Sequence, residues 1–297
     1  MAVFMEKSEK KVLVTGGSGF IGQHLMRRLA KSNIEACVYD TEEDVQGYWK
    51  YMRGDVFDFD KLKDVVKHYD VIVHLVGLGD AGICQKNPMK SFKLNILSLQ
   101  NLLEACKFGK KKIIFPSSAA VYGITDDLPT REKCPPNPTN IYSWHKYICE
   151  ELIKSYHDNF GLEYVILRVF NVYGEGSKGV IKFFIEKAKK NEMIELFGPY
   201  QFRDFVYAGD VAEALFQSII YEKANNKTIN IGSGNAIQIK ELVELICNEI
   251  FPGAKWTYRK SEFVMYDSIA DITLARILLN FKPHTSKSFM KKILERI

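Results

Sequence analysis

The sequence predicts an α/β fold in which helices cover both faces of a doubly wound parallel sheet, followed by a smaller C-terminal α/β lobe. Two observations predict it. Short apolar runs rich in β-branched residues alternate with stretches of helical period through residue 170, and strands separated by helices indicate a parallel sheet. After Asn171 the alternation becomes irregular, with glycine-rich turns and short apolar runs. This change indicates a second, smaller lobe packed against the first.

The predicted elements begin with a strand at 11–15, a glycine turn and a helix at 20–31. Further strands are predicted at 34–39, 71–76, 113–116 and 164–169, with helices at 61–68, 88–107 and 141–159. In the second lobe we expect helices at 179–190, 210–222, 272–280 and 286–297 and strands at 194–196 and 228–231.

Composition narrows the class of protein. The 297 residues are 46% hydrophobic and 26% charged, values typical of soluble globular proteins. No apolar run approaches the roughly 20 residues that cross a bilayer, and the first ten residues lack the apolar segment of a signal peptide. We therefore expect a cytoplasmic protein that does not insert into membranes.

The cysteines and the charge exclude two other classes. Six cysteines are scattered without metal-ligand spacing, so we expect reduced thiols and no metal site. The net charge is +5, and the lysine runs at 110–112 and 189–190 accompany no nucleic-acid-binding motif. A small anionic substrate suits this charge better than nucleic acid.

A phosphate cradle is predicted between the first strand and the first helix. Gly16, Gly19 and Gly22 are spaced for a tight turn, a close backbone approach to phosphate and close helix packing. Phe20 and Ile21 open the helix, whose N-terminus faces the anion. The segment therefore predicts a site for a dinucleotide diphosphate.

An acid after the second strand identifies the dinucleotide. The Asp40 carboxylate would accept hydrogen bonds from the adenosine ribose and repel a 2′-phosphate, which favours NAD over NADP. Asp55 and Val56 follow what is predicted as a third strand and are placed for the adenine, and Leu75 ends the strand at 71–76. We expect all four to contact NAD.

A Tyr-x-x-x-Lys pair, Tyr142 and Lys146, falls in a predicted helix, so that both side chains project from one face. A neighbouring ammonium stabilises a phenolate, which predicts that Lys146 makes Tyr142 a usable base. Ser118 ends a strand at the sheet edge where ligands bind. These residues would exchange a proton with a substrate hydroxyl while NAD takes a hydride from the same carbon.

The sequence resembles the extended short-chain dehydrogenases/reductases, and within them the NAD-dependent nucleotide-sugar epimerases and dehydratases. The resemblance covers nearly the whole chain. Beside Ser118, Tyr142 and Lys146, it rests on five motifs: TGGSGFIG at 15–22, RVFNVYG at 168–174, RDFVY at 203–207, DVA at 210–212 and NIGSG at 230–234.

The resemblance implies a Rossmann-type NAD-binding domain over 1–170, to which about 203–235 returns, and a nucleotide-sugar-binding lobe mainly over 171–297. It implies that Asn171 contacts the substrate diphosphate, that Val180 flanks the base and that Arg203 pairs with phosphate. Asn95 resembles the family's asparagine near the cofactor. A homodimer through the helices at 88–107 and 141–159 is also implied.

The residues around Ser118 restrict the reaction. Family dehydratases carry Asp-Glu after the catalytic hydroxyl, whereas this chain has Ala119 and Ala120; decarboxylating relatives place Glu before Val-Tyr-Gly. The segment looks most like the 4-epimerases acting on UDP-hexoses or UDP-N-acetylhexosamines. The alternatives are a 4-keto-6-deoxy nucleotide-sugar reductase and a non-catalytic NAD-sensing regulator. Arg259 is the candidate for a second phosphate-binding arginine, although the family's Arg-Pro-Gly-Asp turn is missing.

Overall fold

The computed structural model describes residues 10–42, 49–259 and 266–297. Its centre is a parallel sheet with the strand order β10-β6-β5-β4-β1-β2-β3, which confirms the predicted fold class. The seven strands are β1 (Val12–Thr15), β2 (Ala36–Asp40), β3 (Lys50–Arg53), β4 (Val71–His74), β5 (Lys112–Ser118), β6 (Glu163–Val169) and β10 (Lys227–Ile231).

Helices cover both faces of this sheet because its central strands are apolar on both sides. One face packs on a cluster that includes Val14, Leu25 and Val165, and the other on a cluster that includes Leu13, Leu102 and Ile153. The covering helices are α1 (Phe20–Leu29), α2 (Phe59–Val66), α3 (Ala81–Lys86), α4 (Pro88–Phe92), α5 (Ser98–Cys106), α6 (Ile141–Phe160), α8 (Ala208–Ile220) and α10 (Thr273–Leu279).

A third apolar cluster lies among the later elements, around Phe184, Leu196 and Leu242. It packs between a three-stranded sheet of β7 (Asn171–Tyr173), β9 (Phe202–Tyr207) and β11 (Ala236–Gln238), a two-stranded sheet of β8 (Ile194–Phe197) and β12 (Trp256–Arg259), and the helices α7 (Val180–Lys189), α9 (Ile239–Leu245) and α11 (Lys287–Leu294). β10 pairs with β6 in the central sheet. The division into two functional lobes stays a prediction.

The predicted helix at 88–107 is interrupted. A π-helical segment, Lys93–Leu97, separates α4 from α5. The sequence analysis also missed β7, β9, β11, β12, α3 and α9. Most are short, and the three strands of the β11-β9-β7 sheet pair with segments distant in the chain, so local periodicity carries little information about them.

Candidate active site

A large cavity lies at the carboxyl ends of β3, β2, β1 and β4. Its volume is about 880 Å³, which falls in the range of small-molecule and cofactor sites. Six of the predicted cofactor residues line it: Gly16, Gly19, Asp40, Asp55, Val56 and Leu75. The other predicted members of the turn, Phe20, Ile21 and Gly22, do not line the cavity. The sequence therefore predicted six of the twenty described residues that line this cavity.

The glycine turn requires glycine for two different reasons. Gly16 has φ +74°, and a Cβ there would lie 2.7 Å from the Val76 amide nitrogen. A Cβ on Gly22 would lie 2.6 Å from the Cα of Gly17. Gly16 thus shapes the turn, while Gly22 allows the first turn of α1 to pack on the backbone that precedes it.

Asp40 joins the end of β2 to this turn. Its carboxylate accepts hydrogen bonds from the backbone N–H of Ser18 at 3.0 Å and of Glu42 at 3.3 Å. At the next strand end, the Asp55 carboxylate accepts from the Phe57 N–H at 3.0 Å. Both acids are therefore held in place by main-chain donors and stand beside the cavity.

Ser118 and Tyr142 meet next to this cavity in the order of the sheet. Ser118 ends β5, Tyr142 stands in the first turn of α6, and the Ser118 hydroxyl is near enough to lower the pKa of the Tyr142 phenol. Asn140 caps α6 by accepting from the Ser143 N–H at 3.0 Å, and the Ser143 hydroxyl accepts from the Asn140 N–H at 3.0 Å. The capping box fixes the start of the helix and hence the position of Tyr142.

Lys146 and Tyr142 make separate contacts in this structure. Burial raises the pKa of the Tyr142 phenol, and the Ser118 hydroxyl offsets this only in part. Lys146 Nζ donates to the carbonyl of Pro116 at 2.9 Å, and burial lowers its own pKa. The ammonium is thus held against β5, and its effect on the phenol stays a prediction.

Asn95 supports the site from behind. It lies in the π-helical segment, is buried, and its amide accepts from the Leu78 N–H at 2.7 Å and donates to the Leu78 carbonyl at 3.2 Å and the Ser91 hydroxyl at 3.1 Å. It does not line the cavity. The resemblance implies a place near the cofactor for Asn95. In the structure its side chain holds the loop after β4, and a Cβ on Gly77 in that loop would lie 2.7 Å from Asn95 Oδ1.

A second cavity of about 370 Å³ lies beyond β6, among the later elements. Three predicted substrate residues, Asn171, Val180 and Arg203, line it. Asn171 donates to the Asp204 carbonyl at 3.0 Å. The Arg203 guanidinium donates to the carbonyls of Phe202 and Tyr266 and to Gln201 Oε1. The sheet order places Ser118 and Tyr142 between the two cavities.

Arg259 is placed differently from the other three. It does not line the second cavity, and its guanidinium pairs with Glu195 Oε1 at 2.6 Å on the neighbouring strand β8. Glu195 does line that cavity. Residues 260–262 of the candidate turn lie outside the described residues, so Arg259 as a phosphate ligand stays a prediction.

The match to known proteins is broad. Residues 12–232 match the model of the NAD dependent epimerase/dehydratase family. This chain belongs to that family. A putative UDP-glucose 4-epimerase from Methanocaldococcus jannaschii is 36% identical, over 92% of this chain and 93% of its own.

Two solved structures support the assignment to the NAD-dependent epimerase/dehydratase family. The UDP-N-acetylglucosamine 4-epimerase from Methanobrevibacter ruminantium, in complex with UDP-N-acetylmuramic acid, is 30% identical with a TM-score of 0.86 over 97% of this chain and 96% of that one. The UDP-glucuronic acid 4-epimerase from Bacillus cereus, in complex with UDP-glucuronic acid and NAD, is 28% identical with a TM-score of 0.85 over 96% and 97%. Decarboxylases of UDP-sugar acids occur among the relatives at 28% identity or less.

The first cavity suits NAD, the cofactor of this family. The glycine turn brings Gly16, Ser18 and Gly19 to the cavity in front of α1, and the Asp40 carboxylate stands at the end of the next strand. The member of the family described here is thus an NAD-dependent enzyme.

Within residues 10–42, 49–259 and 266–297, no helix has the length and apolar character needed to cross a membrane.

Several residues that shape the site escaped the sequence analysis. Glu150, one turn after Lys146, forms a buried ion pair with Arg168, and Lys178 lines the cofactor cavity from the loop after β7. The spacing of Glu150 from Lys146 on one helical face was a usable signal. The position of Lys178 had none, since it depends on how the loop packs.

Proposed function

We propose that this enzyme is a UDP-hexose or UDP-N-acetylhexosamine 4-epimerase. The observation that carries the proposal is the proximity of Ser118 and Tyr142, which lie between a cofactor cavity and a second cavity lined by Asn171 and Arg203. A nucleotide-sugar that spans from the second cavity brings its hexose to this pair. The net charge of +5 favours its doubly anionic diphosphate.

The chain's own residues supply the proton chemistry. Tyr142 takes the proton from the C4 hydroxyl and later returns it, and Ser118 donates a hydrogen bond to the same oxygen as it becomes a carbonyl. The glycine turn and Asp40 would hold NAD, which would supply the acceptor for the hydride of C4 and its return to the other face of the sugar. Lys146, held on the Pro116 carbonyl, orients this end of α6 and adds positive charge beside the phenol.

The phosphates of the substrate are assigned to Arg203 and Asn171. A guanidinium binds phosphate oxygens bidentately, and Arg203 keeps its planar group at the cavity through its bonds to backbone carbonyls. Val180 and the neighbouring aromatic residues of the cavity, Phe183 and Phe197, would flank the base. Arg259 becomes a second phosphate ligand only when it leaves Glu195.

Epimerisation is favoured over the other reactions of the family because Ala119 and Ala120 follow Ser118. Elimination of water needs an additional acid and base at this point, and methyl groups supply neither. A one-way 4-keto reductase would use the same residues. It differs in consuming reduced cofactor, whereas an epimerase turns over on the NAD that it carries.

We also propose a homodimer that forms through α4, α5 and α6. Large apolar side chains are exposed on α4 and α6, among them Met89, Phe92, Trp144 and Ile148. A contiguous exposed apolar face of this kind is typical of protein–protein interfaces. Pairing with a second copy would turn these helices into a four-helix contact.

The experiment is incubation of the purified protein with UDP-glucose and with UDP-N-acetylglucosamine, without added cofactor, followed by chromatographic separation of the C4 epimers. We expect interconversion, and a Tyr142→Phe variant that loses about 10²- to 10⁴-fold in rate while keeping its NAD. Tyr147→Phe, on the same helix, is the control and should retain activity. Full activity in Tyr142→Phe would refute the mechanism, and turnover only with added NADH would favour the reductase.

A further inference from the structure

The loop Gly174–Gly179 connects the two cavities. It begins after β7, whose Asn171 lines the second cavity, and leads into α7, whose Val180 lines the same cavity. In between, the loop packs on α1. Its Glu175 carbonyl lies 3.2 Å from His24 Nε2, and a Cβ on Gly176 would meet the Phe20 ring at 3.5 Å. The loop therefore lies against the first turns of the helix that faces the cofactor diphosphate.

The side of the loop away from α1 is also held. The Glu175 carboxylate accepts from the Tyr207 hydroxyl at 3.4 Å and pairs with Arg296 at 3.4 Å. Gly174 has φ +147° and Gly176 has φ +88°, so the turn depends on two glycines at positions that other residues rarely adopt. With contacts to α1, β9 and the end of the chain, the loop has a defined position before any ligand binds.

Two groups in this loop lack a partner. Lys178 lines the cofactor cavity together with Gly16, Ser18 and Gly19, and its ammonium forms no ion pair or hydrogen bond within the described residues. The Ser177 side chain is 2% exposed, and its hydroxyl has no hydrogen-bond partner within the same ranges. Ser177 lines neither cavity, so Lys178 is the group of this loop that faces the cofactor cavity.

The charges around the cavity indicate which part of a bound dinucleotide would face Lys178. Asp40, Glu42 and Asp55 line the end assigned to adenosine. The glycine turn offers backbone N–H groups to the diphosphate but no cationic side chain. Lys90 and Lys93 also line the cavity, but they belong to α4 and the π-helical segment. Lys178 is the lysine whose loop packs on the first turns of α1.

We propose that the Gly174–Gly179 loop forms the second half of the dinucleotide diphosphate site, in which Lys178 Nζ pairs with the diphosphate. The glycine turn holds the diphosphate through main-chain N–H groups, and the loop adds a cation from the substrate side. Its main effect is to slow the release of NAD. This inference depends on NAD and not on which sugar the enzyme converts.

The test measures cofactor exchange directly. Purified holoenzyme is mixed with excess isotopically labelled NAD. Protein-bound NAD is recovered at successive times, and mass spectrometry gives the fraction that carries the label. We expect Lys178→Met to exchange its NAD about tenfold faster, the effect of losing a charged hydrogen bond. Lys178→Arg, which keeps the charge, should exchange within about threefold of the wild type.

Lys182→Met is the matched control, because Lys182 lies one turn into α7 and pairs with Glu186 at 3.6 Å. It should exchange like the wild type. Raising the salt concentration should speed exchange in the wild type more than in Lys178→Met, since screening weakens the ion pair that the variant lacks. If Lys178→Met exchanges its NAD at the wild-type rate, the proposal is overturned. Failure to epimerise any UDP-sugar would refute the proposed function and leave this result standing.

Discussion

Arg168 on β6 and Glu150 on α6 form a buried ion pair beneath the candidate catalytic residues. Arg168 Nη2 donates to Glu150 Oε2 at 2.7 Å, and the two side chains are 4% and 0% exposed. The Ser117 hydroxyl donates to the other carboxylate oxygen at 2.5 Å. Because Ser117 and Arg168 are opposite each other in the β5–β6 pair, one carboxylate ties two strand ends to the helix that carries Tyr142.

Glu150→Gln should therefore be strongly destabilising. The substitution leaves the Arg168 guanidinium buried without a counter-charge, which typically costs about 3–5 kcal/mol. We expect a loss of this size in the free energy of unfolding measured with urea. Glu151→Gln is the matched control: Glu151 pairs with Lys154 at 2.7 Å on the exposed face of the same helix, and its loss should cost less than about 1 kcal/mol. Equal effects of the two substitutions would contradict this assignment.

His74 makes the stability of the protein pH-dependent. Its ring is buried between Thr15 Oγ1 at 2.8 Å and Ser98 Oγ at 3.3 Å. Burial, helped by the charge of Lys146, lowers the pKa of His74 to about 3. Because the folded-state pKa is depressed, the contribution of neutral His74 to the free energy of unfolding is complete above the ordinary histidine pKa of about 6.5. It is lost as the pH falls from there toward about 3.

Between pH 7.5 and 5.5, the wild type should lose about 1.4 kcal/mol more of its free energy of unfolding than His74→Gln, whose side chain does not titrate. Urea unfolding at the two pH values measures the difference. His68→Gln, at an exposed position after α2, is the control and should keep the wild-type dependence. A His74→Gln variant with an unchanged pH dependence would show that His74 titrates alike in the folded and unfolded states and would contradict this prediction.

Gly22 and Gly19 should respond differently to alanine. A Cβ on Gly22 meets only the backbone of Gly17, which cannot move aside, whereas a Cβ on Gly19 meets the Gly16 carbonyl at 3.2 Å. Gly22→Ala should therefore lower the free energy of unfolding by at least about 2 kcal/mol, within the range for overpacking. Gly19→Ala should fold nearly as well as the wild type but bind NAD more weakly. Thermal unfolding and the NAD content of each variant separate the two effects.

The elements that the sequence predicted best are those whose signal is local. The glycine turn, Asp40 and the Ser118 strand end all follow an apolar run, so the cofactor cavity could be anticipated at the carboxyl edge of the sheet. The residues expected at the second cavity, Asn171, Val180 and Arg203, came from the family resemblance. The interruption of the helix at Lys93–Leu97 has no signature in composition. It is visible only in the structure, where Asn95 of this segment accepts a hydrogen bond from the loop after β4.

Contacts between distant segments were beyond the sequence. Arg259 was expected at a phosphate, but it stands opposite Phe197 in a β8–β12 pair that brings its guanidinium to Glu195, 64 residues away in the chain. Lys146 was expected to act on Tyr142, which stays a prediction, but nothing in the sequence indicated that the Pro116 carbonyl, 30 residues earlier, accepts a hydrogen bond from its ammonium. In both cases the residue type was informative, whereas the observed partner depended on how distant segments pack.

The proposed dimer gives the last prediction. Met89 is 80% exposed on α4, and Ile148 is 38% exposed on α6, so neither side chain is needed for the core of one chain. If these helices meet a second copy, Met89→Glu combined with Ile148→Glu places charges in an apolar interface. Burying these unpaired charges costs free energy and should prevent the two chains from associating. Sedimentation velocity should then show twice the mass of one chain for the wild type and a single chain for the double variant. Ile277→Glu, an equally apolar exposed position on α10, should remain dimeric; a wild-type protein that sediments as one chain at micromolar concentration would refute the dimer.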